Sequence, residues 1–209
     1  MTDIAVIDYG MGNLRSVQKA FESLGFNAVI TSSTAEIKNA HRVVLPGVGA
    51  FGDCLAGLEK SGLRQAVLDT VNSGKPFLGI CVGMQMLFEK SFEFGEHDGL
   101  GLFKGAVKKF PDEIVKGGMK IPHMGWNKLT IKQKEHPVLK GVDDGSMVYF
   151  VHSYCVAGET MADVAAECTY GITFTAAAAR ENIFATQFHP EKSQVNGVKI
   201  LKNFGEWKC

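Results

Sequence analysis

The spacing of apolar and polar residues divides this chain into two halves of different character, with no linker between them. The first half alternates strand with helix. Ile4 to Asp8 predicts a strand, Asn13 to Leu24 a helix, and Ala28 to Ile30 a short second strand. Ser33-Thr34-Ala35-Glu36 has the spacing of a capping box and opens a brief helix ending near Ala40. Arg42 to Leu45 predicts a third strand, and Leu63 to Asn72 a helix stopped by Gly74. A strand over Lys75 to Ile80 then leads into a helix-forming run, Val82 to Ser91. Such an order implies parallel strands, right-handed crossovers and helices on both faces of a sheet.

The second half changes to strand pairs. Ala106 to Phe110, Lys128 to Lys132, Met147 to Val156, Val164 to Thr169 and Ile183 to Phe188 read as strands. A helix from about Gln194 to Trp207 closes the chain. Ala176 to Arg180 is ambiguous: four alanines favour helix, but the flanking strands leave little room for one. No internal repeat and no low-complexity tract interrupts the pattern.

Candidate chemistry begins where the strand ending at Ile80 meets the next helix. Gly79-Ile80-Cys81-Val82-Gly83 is a Gly-x-Cys-x-Gly corner, a nucleophile elbow with sulfur in place of hydroxyl. Two glycines without Cβ atoms let the backbone turn sharply and project Cys81 above the carboxyl edge of the sheet. The following helix aims free N–H groups and its positive dipole end at the sulfur, which favours thiolate. The bland alternative is a packing cysteine between strand and helix.

A second segment tips that balance. The strand Ile183 to Phe188 runs into His189-Pro190-Glu191. In an extended chain residues two apart project to the same side, so Glu191 can hold one nitrogen of His189 while the other faces a thiol. Base plus orienter beside a cysteine is the arrangement of a histidine-assisted nucleophile. By itself, His189 would read as a surface histidine at a strand end.

Bulk properties narrow the class without changing that reading. A chain of 209 residues suits one domain, 1–209, burying roughly 70% of its unfolded surface. Basic and acidic residues both total 22, so no net field favours nucleic acid or an anionic membrane. No basic, apolar leader precedes the first strand and no apolar run has membrane-spanning length. The five cysteines are odd in number, scattered and never spaced Cys-x-x-Cys, which argues against a disulfide framework or a metal site and suits a reducing cytoplasm.

Gly47-Val48-Gly49-Ala50-Phe51-Gly52 formally matches a dinucleotide-binding loop. That use requires an acidic residue about twenty positions on, at a strand end. Asp69 is the one candidate near that distance, and it falls in a predicted helix. A better use is a glycine-rich loop offering backbone N–H groups to a developing oxyanion.

Pro46-Gly47-Val48-Gly49, the Gly79–Gln85 elbow and His189-Pro190-Glu191 together resemble the class I glutamine amidotransferases. Asp8 to Leu14, Ile121 to Asn127, Tyr149 to Tyr154 and His189 to Ser193 extend the likeness over essentially the whole chain. These stretches resemble most closely the glutaminase subunits of imidazole glycerol phosphate synthases. Cys155 departs from that pattern, where an aromatic residue often stands.

The resemblance implies a flavodoxin-like α/β fold with helices on both faces and additional antiparallel strands in the C-terminal half. It implies a triad of Cys81, His189 and Glu191, hydrolysing glutamine through a thioester without metal or cofactor. The oxyanion hole would be the backbone N–H groups of Val82 and Val48, the latter only if the Gly47–Val48 peptide turns inward. Gly49, Gln85, Glu93, Ser153 and Tyr154 would hold the substrate. Asn13, Trp126, Tyr149 and Lys192 would form a docking face for a (βα)8-barrel imidazole glycerol phosphate cyclase that receives the ammonia. Without the resemblance, Gln85 reads as a solvent-facing helix residue, Glu93 and Lys192 as solvated charges, Asn13 as a helix cap, and the two aromatics as core. A glutaminase feeding another synthase and a stand-alone thiol hydrolase are the alternative readings.

Overall fold

A computed structural model of the chain describes residues 2–157 and 161–208; Cys209 lies outside them. In the first half, strands β1 (Ile4–Ile7), β2 (Ala28–Thr31), β3 (Arg42–Gly47) and β4 (Phe77–Cys81) alternate with helices. Those helices are α1 (Leu14–Ser23), α2 (Thr34–Asn39), α3 (Phe51–Lys60), α4 (Arg64–Asn72) and the single-turn α5 (Val82–Gln85). Continuing along the chain come β5 (Phe88–Ser91), β6 (His97–Asp98), β7 (Phe103–Lys109), α6 (Asp112–Lys116), β8 (His123–Lys128) and β9 (Thr130–Ile131). Then follow β10 (Met147–His152), β11 (Tyr154–Val156), β12 (Val164–Tyr170), β13 (Ile172–Arg180), β14 (Ile183–Thr186) and α7 (Gln194–Glu206).

The main sheet has eight strands in the order β2-β1-β3-β4-β14-β13-β12-β9. From β2 to β14 the strands are parallel, and beyond β14 they are antiparallel. Because β2 and β3 flank β1 on opposite sides, right-handed crossovers set α1 and α2 on opposite faces. The packing agrees: α1 lies against α7, and α2 against α4. Strands β1, β4 and β14 are buried along their whole length, as befits a sheet covered on both sides. Two smaller sheets, β10-β8 and β11-β7-β5-β6, carry the remaining strands. Among the described residues no helix is long and apolar enough to cross a membrane.

Several local expectations hold to within a residue or two. Ser33 does cap α2, its hydroxyl accepting the N–H of Glu36 at 3.4 Å. Others are overturned by pairing between distant segments. The helix expected over Val82 to Ser91 stops at Gln85, because Phe88–Ser91 pairs with β7 and β6. The ambiguous alanines are strand, held between β14 and β12. The run expected over Lys128 to Lys132 is two strands in different sheets, β8 and β9. Met147 to Val156 likewise breaks at Ser153, its two parts joining β8 and β7.

Candidate active site

Cys81 ends β4 with φ 56° and ψ −114°, a conformation that side chains rarely adopt. The strain therefore sits on the cysteine and not on the flanking glycines, whose φ values are ordinary. Their role is clearance. A Cβ on Gly83 would lie 1.9 Å from the Leu45 carbonyl oxygen, and one on Gly79 would lie 3.0 Å from the Gly83 carbonyl. The corner is tight because β3, β4 and α5 meet backbone to backbone.

His189 comes to Cys81 from the neighbouring strand's carboxyl end. The extended run stops at Thr186, and Pro190–Lys192 forms a 3-10 turn. Turn geometry, not strand alternation, therefore brings the pair together: His189 Nδ1 and Glu191 Oε1 are 2.8 Å apart, both side chains almost wholly buried. His189 Nε2 hydrogen-bonds to no protein group. Burial opposes charging of His189, but the adjoining Cys81 and Glu191 outweigh it and hold the imidazole above its ordinary pKa.

These groups open on a cavity of about 180 Å³. Val48, Gly49, Cys81, Val82, Gln85, Glu93, Ser153, Tyr154 and His189 line it, together with Val151 and His152. Nine residues singled out from sequence thus share one cleft, and Glu191 stands behind His189. Gln85 is 3% exposed, so it is no solvent-facing helix residue. Its Nε2 donates to the Tyr154 carbonyl at 3.1 Å. Glu93 accepts the N–H of Phe51 at 2.6 Å, tying the first turn of α3 to the cavity wall. Burial pushes its carboxyl upward, partly offset by that hydrogen bond.

The glycine-rich loop at the end of β3 lines the same cavity as Ser153. Tyr9 donates its hydroxyl to the Pro46 carbonyl at 2.8 Å, and the Cys54 thiol donates to the Val48 carbonyl at 3.4 Å. Both peptides flanking Gly47–Val48 are held by side chains, while Gly49 turns the chain at φ 103°. Burial pushes Tyr9 up, and Cys54 up to about 11.

Three of the four residues expected at a docking face are together. Trp126 pairs with Tyr149 across β8 and β10, their rings 6.1 Å apart, and Lys192 Nζ lies 6.0 Å from the Tyr149 ring centre. Trp126 is 42% exposed, so it is not a core aromatic. Asn13 sits at the start of α1 without a side-chain capping bond. Among the described residues no hydrogen bond or ring contact joins it to the other three.

Gln187 and His152 were not singled out from sequence as site residues. Gln187 is fully buried with its Nε2 3.8 Å from Cys81 Sγ. No local signal marked it, because the extended run stops at Thr186 and only the fold sets its amide beside the sulfur. Among the described residues no group of three or more His, Cys, Asp or Glu side chains is placed to hold a metal ion.

Comparisons with known proteins give the family. A protein 54% identical over all of both chains is the imidazole glycerol phosphate synthase subunit HisH of Geobacter sulfurreducens. The protein of that name from Caldanaerobacter subterraneus subsp. tengcongensis is 54% identical over 99% of each chain. The structure of PurLQS from Thermotoga maritima superposes with a TM-score of 0.75 at 20% identity, covering 98% of both chains, a likeness of fold alone. The family described as "Glutamine amidotransferase class-I" matches residues 5–206, and with cleft, fold and relatives in agreement the chain belongs to the class I glutamine amidotransferases.

Proposed function

We propose that this chain, as a single domain, is the glutaminase subunit of an imidazole glycerol phosphate synthase. In this reading it hydrolyses L-glutamine to glutamate and ammonia, and a (βα)8-barrel cyclase uses the ammonia in histidine biosynthesis. One observation carries the chemistry: Cys81, at a strained corner, shares a cleft with His189, whose other nitrogen is held by buried Glu191. The full-length identity to HisH proteins supports the pathway.

The steps follow from the groups in the cleft. The Cys81 proton passes to His189 Nε2 and the sulfur attacks the side-chain amide carbon of glutamine. The carbonyl electron pair moves to oxygen, which the N–H groups of Val82 and Val48 stabilise. His189 returns its proton to nitrogen, the C–N bond breaks, and ammonia leaves a glutamyl thioester. Water then attacks that thioester, its proton moving by way of His189 to the departing sulfur, and glutamate is released. Gln85, Glu93, Gly49 and the backbone at Ser153 and Tyr154 hold the amino-acid end.

Trp126, Tyr149, Lys192 and Asn13 dock the cyclase. Coupling runs through residues 46–49: with both flanking peptides held, rotation is concentrated on the Gly47–Val48 peptide. The isolated chain then turns over glutamine slowly. Glutamate release is the test, measured alone and with a cyclase plus its nucleotide ligand. Strong stimulation is expected. Full turnover without a partner would sink the coupling, and no response to the cyclase would redirect the ammonia to another synthase.

A further inference from the structure

The amide of Gln187 lies between the nucleophile and Gln85. Its backbone N–H donates to the Ala176 carbonyl at 2.8 Å, anchoring it beside β13. Its Oε1 is 2.9 Å from Gln85 Nε2, and its Nε2 is 3.8 Å from Cys81 Sγ. The two ends of an amide have nearly the same shape, so neighbours must decide which one faces the sulfur.

That decision comes from a backbone carbonyl, which can only accept. Gln85 turns its NH2 group to the Tyr154 carbonyl at 3.1 Å and gives its second hydrogen to Gln187 Oε1. Gln187 is then obliged to present its own NH2 group to Cys81. Reversing Gln187 alone would set two NH2 groups against each other. Reversing Gln85 as well would set its oxygen against the Tyr154 oxygen.

The same carbonyl organises the far side of the cleft. It accepts His152 Nδ1–H at 2.9 Å, which leaves His152 Nε2 to accept from His123 Nδ1–H at 3.1 Å. His123 Nε2 in turn accepts from Asn127 Nδ2 at 3.3 Å. Asn127 is held by backbone at both ends, donating to the Thr169 carbonyl at 3.0 Å and accepting the Lys128 N–H at 2.8 Å. Every donor from Asn127 to Cys81 thus has one consistent assignment, with both histidines neutral. Burial drives both imidazoles well down, to about 4 for His123 and about 3 for His152.

We propose that Gln187 is a further catalytic residue of this site, its side-chain N–H donating to the Cys81 sulfur as negative charge collects there. Tyr154, through Gln85, is the positioning group that keeps a donor facing that sulfur. The inference rests on Cys81 being the nucleophile of the glutaminase reading. When the S–H proton moves to His189, the electron pair stays on sulfur, and a fixed donor beside it stabilises that charge and aims it. The titratable groups facing Cys81 are His189 from the turn after β14, Tyr9 from the end of β1 and Cys54 of α3. Across the cavity stand His152 and Glu93.

The test is the rate at which iodoacetamide alkylates Cys81 in the full-length chain, followed on the Cys81 peptide across pH and compared with glutamine turnover. Gln187→Leu removes the donor; Gln187→Glu keeps the acceptor for Gln85 but sets a carboxylate oxygen opposite the sulfur, in the same shape. At neutral pH the alkylation rate is expected to fall about tenfold in the leucine variant and further in the glutamate variant, recovering in alkali. The turnover number should fall about ten- to a hundredfold. A role in packing alone would lower the melting temperature and leave the pH profile of alkylation unmoved. That profile, unmoved in the folded leucine variant, which removes the donor without adding charge, overturns the proposal. A wild-type Cys81 that resists alkylation at every pH, or a Cys81→Ser variant that still turns over, overturns the glutaminase reading itself.

Discussion

The backbone N–H of His189 donates to the carbonyl of Tyr149 at 3.0 Å, so the histidine beside Cys81 hangs from the strand that carries the proposed docking aromatic. Ser193 completes the clasp, its hydroxyl donating to the His189 carbonyl at 2.6 Å and accepting the Tyr149 N–H at 2.9 Å. A partner that shifts β10 would move His189 through hydrogen bonds alone.

Replacing Ser193 tests that clasp. Ser193→Ala leaves the Tyr149 N–H without its partner and the His189 carbonyl with the Lys192 N–H alone, at a cost of about 1–3 kcal/mol. The denaturation midpoint should drop accordingly, and cyclase-stimulated turnover should fall more than substrate affinity. Unchanged stability and turnover would mean that water replaces the hydroxyl without loss.

Gly83 is a steric requirement. Gly83→Ala would push a Cβ into the Leu45 carbonyl, and the expected outcome is a loss of about 3 kcal/mol or more, or an insoluble chain. Gly101→Ala is the control, since its Cβ would enter open space and only its φ of 66° is unfavourable. That variant should lose about 1 kcal/mol. Equal losses in the two melts would refute the packing argument.

Strain at Cys81 predicts an inverted order of stabilities. Both Cys81→Ala and Cys81→Gly should abolish turnover, but at φ 56° the glycine variant should be the more stable by about 1 kcal/mol. Urea unfolding of the two proteins decides it. Alanine being the more stable would show that the corner stores no strain.

Acid should weaken the fold through its buried histidines. Burial lowers His123 and His136 from 6.5 to about 4 and His152 to about 3. Below about pH 6.5 the unfolded chain takes up protons that the folded chain refuses. The stability these neutral histidines contribute is complete above that pH and is lost as pH falls toward about 4 and then 3. The urea midpoint is therefore expected to decline between pH 6.5 and 4. A flat midpoint over that range would contradict burial of the three imidazoles.

Much of the fold was legible because the signals are local. A βαβ alternation, a capping box at Ser33 and a Gly-x-Cys-x-Gly corner each declare themselves within a short window, since backbone sterics and hydrogen bonding act between near neighbours. The same holds for Cys81, for the coupling of His189 to Glu191, and for the loop from Pro46 to Gly49.

What tertiary structure alone decided is non-local. Ala176 to Arg180 became a strand because β12 and β14 offer it partners on both edges, overriding the helical preference of alanine. The helix after Cys81 ended at one turn because Phe88–Ser91 found β7. Ser153 became the break where one apolar run divides between two sheets. Gln187 carries no local mark of its place; the Tyr154 carbonyl, reached through Gln85, decides which end of its amide meets the sulfur. By itself the sequence determined which residues could do the chemistry, because side-chain identity and local backbone geometry are written in it. Only the fold decided how they are aimed, because orientation depends on groups distant in sequence and adjacent in space.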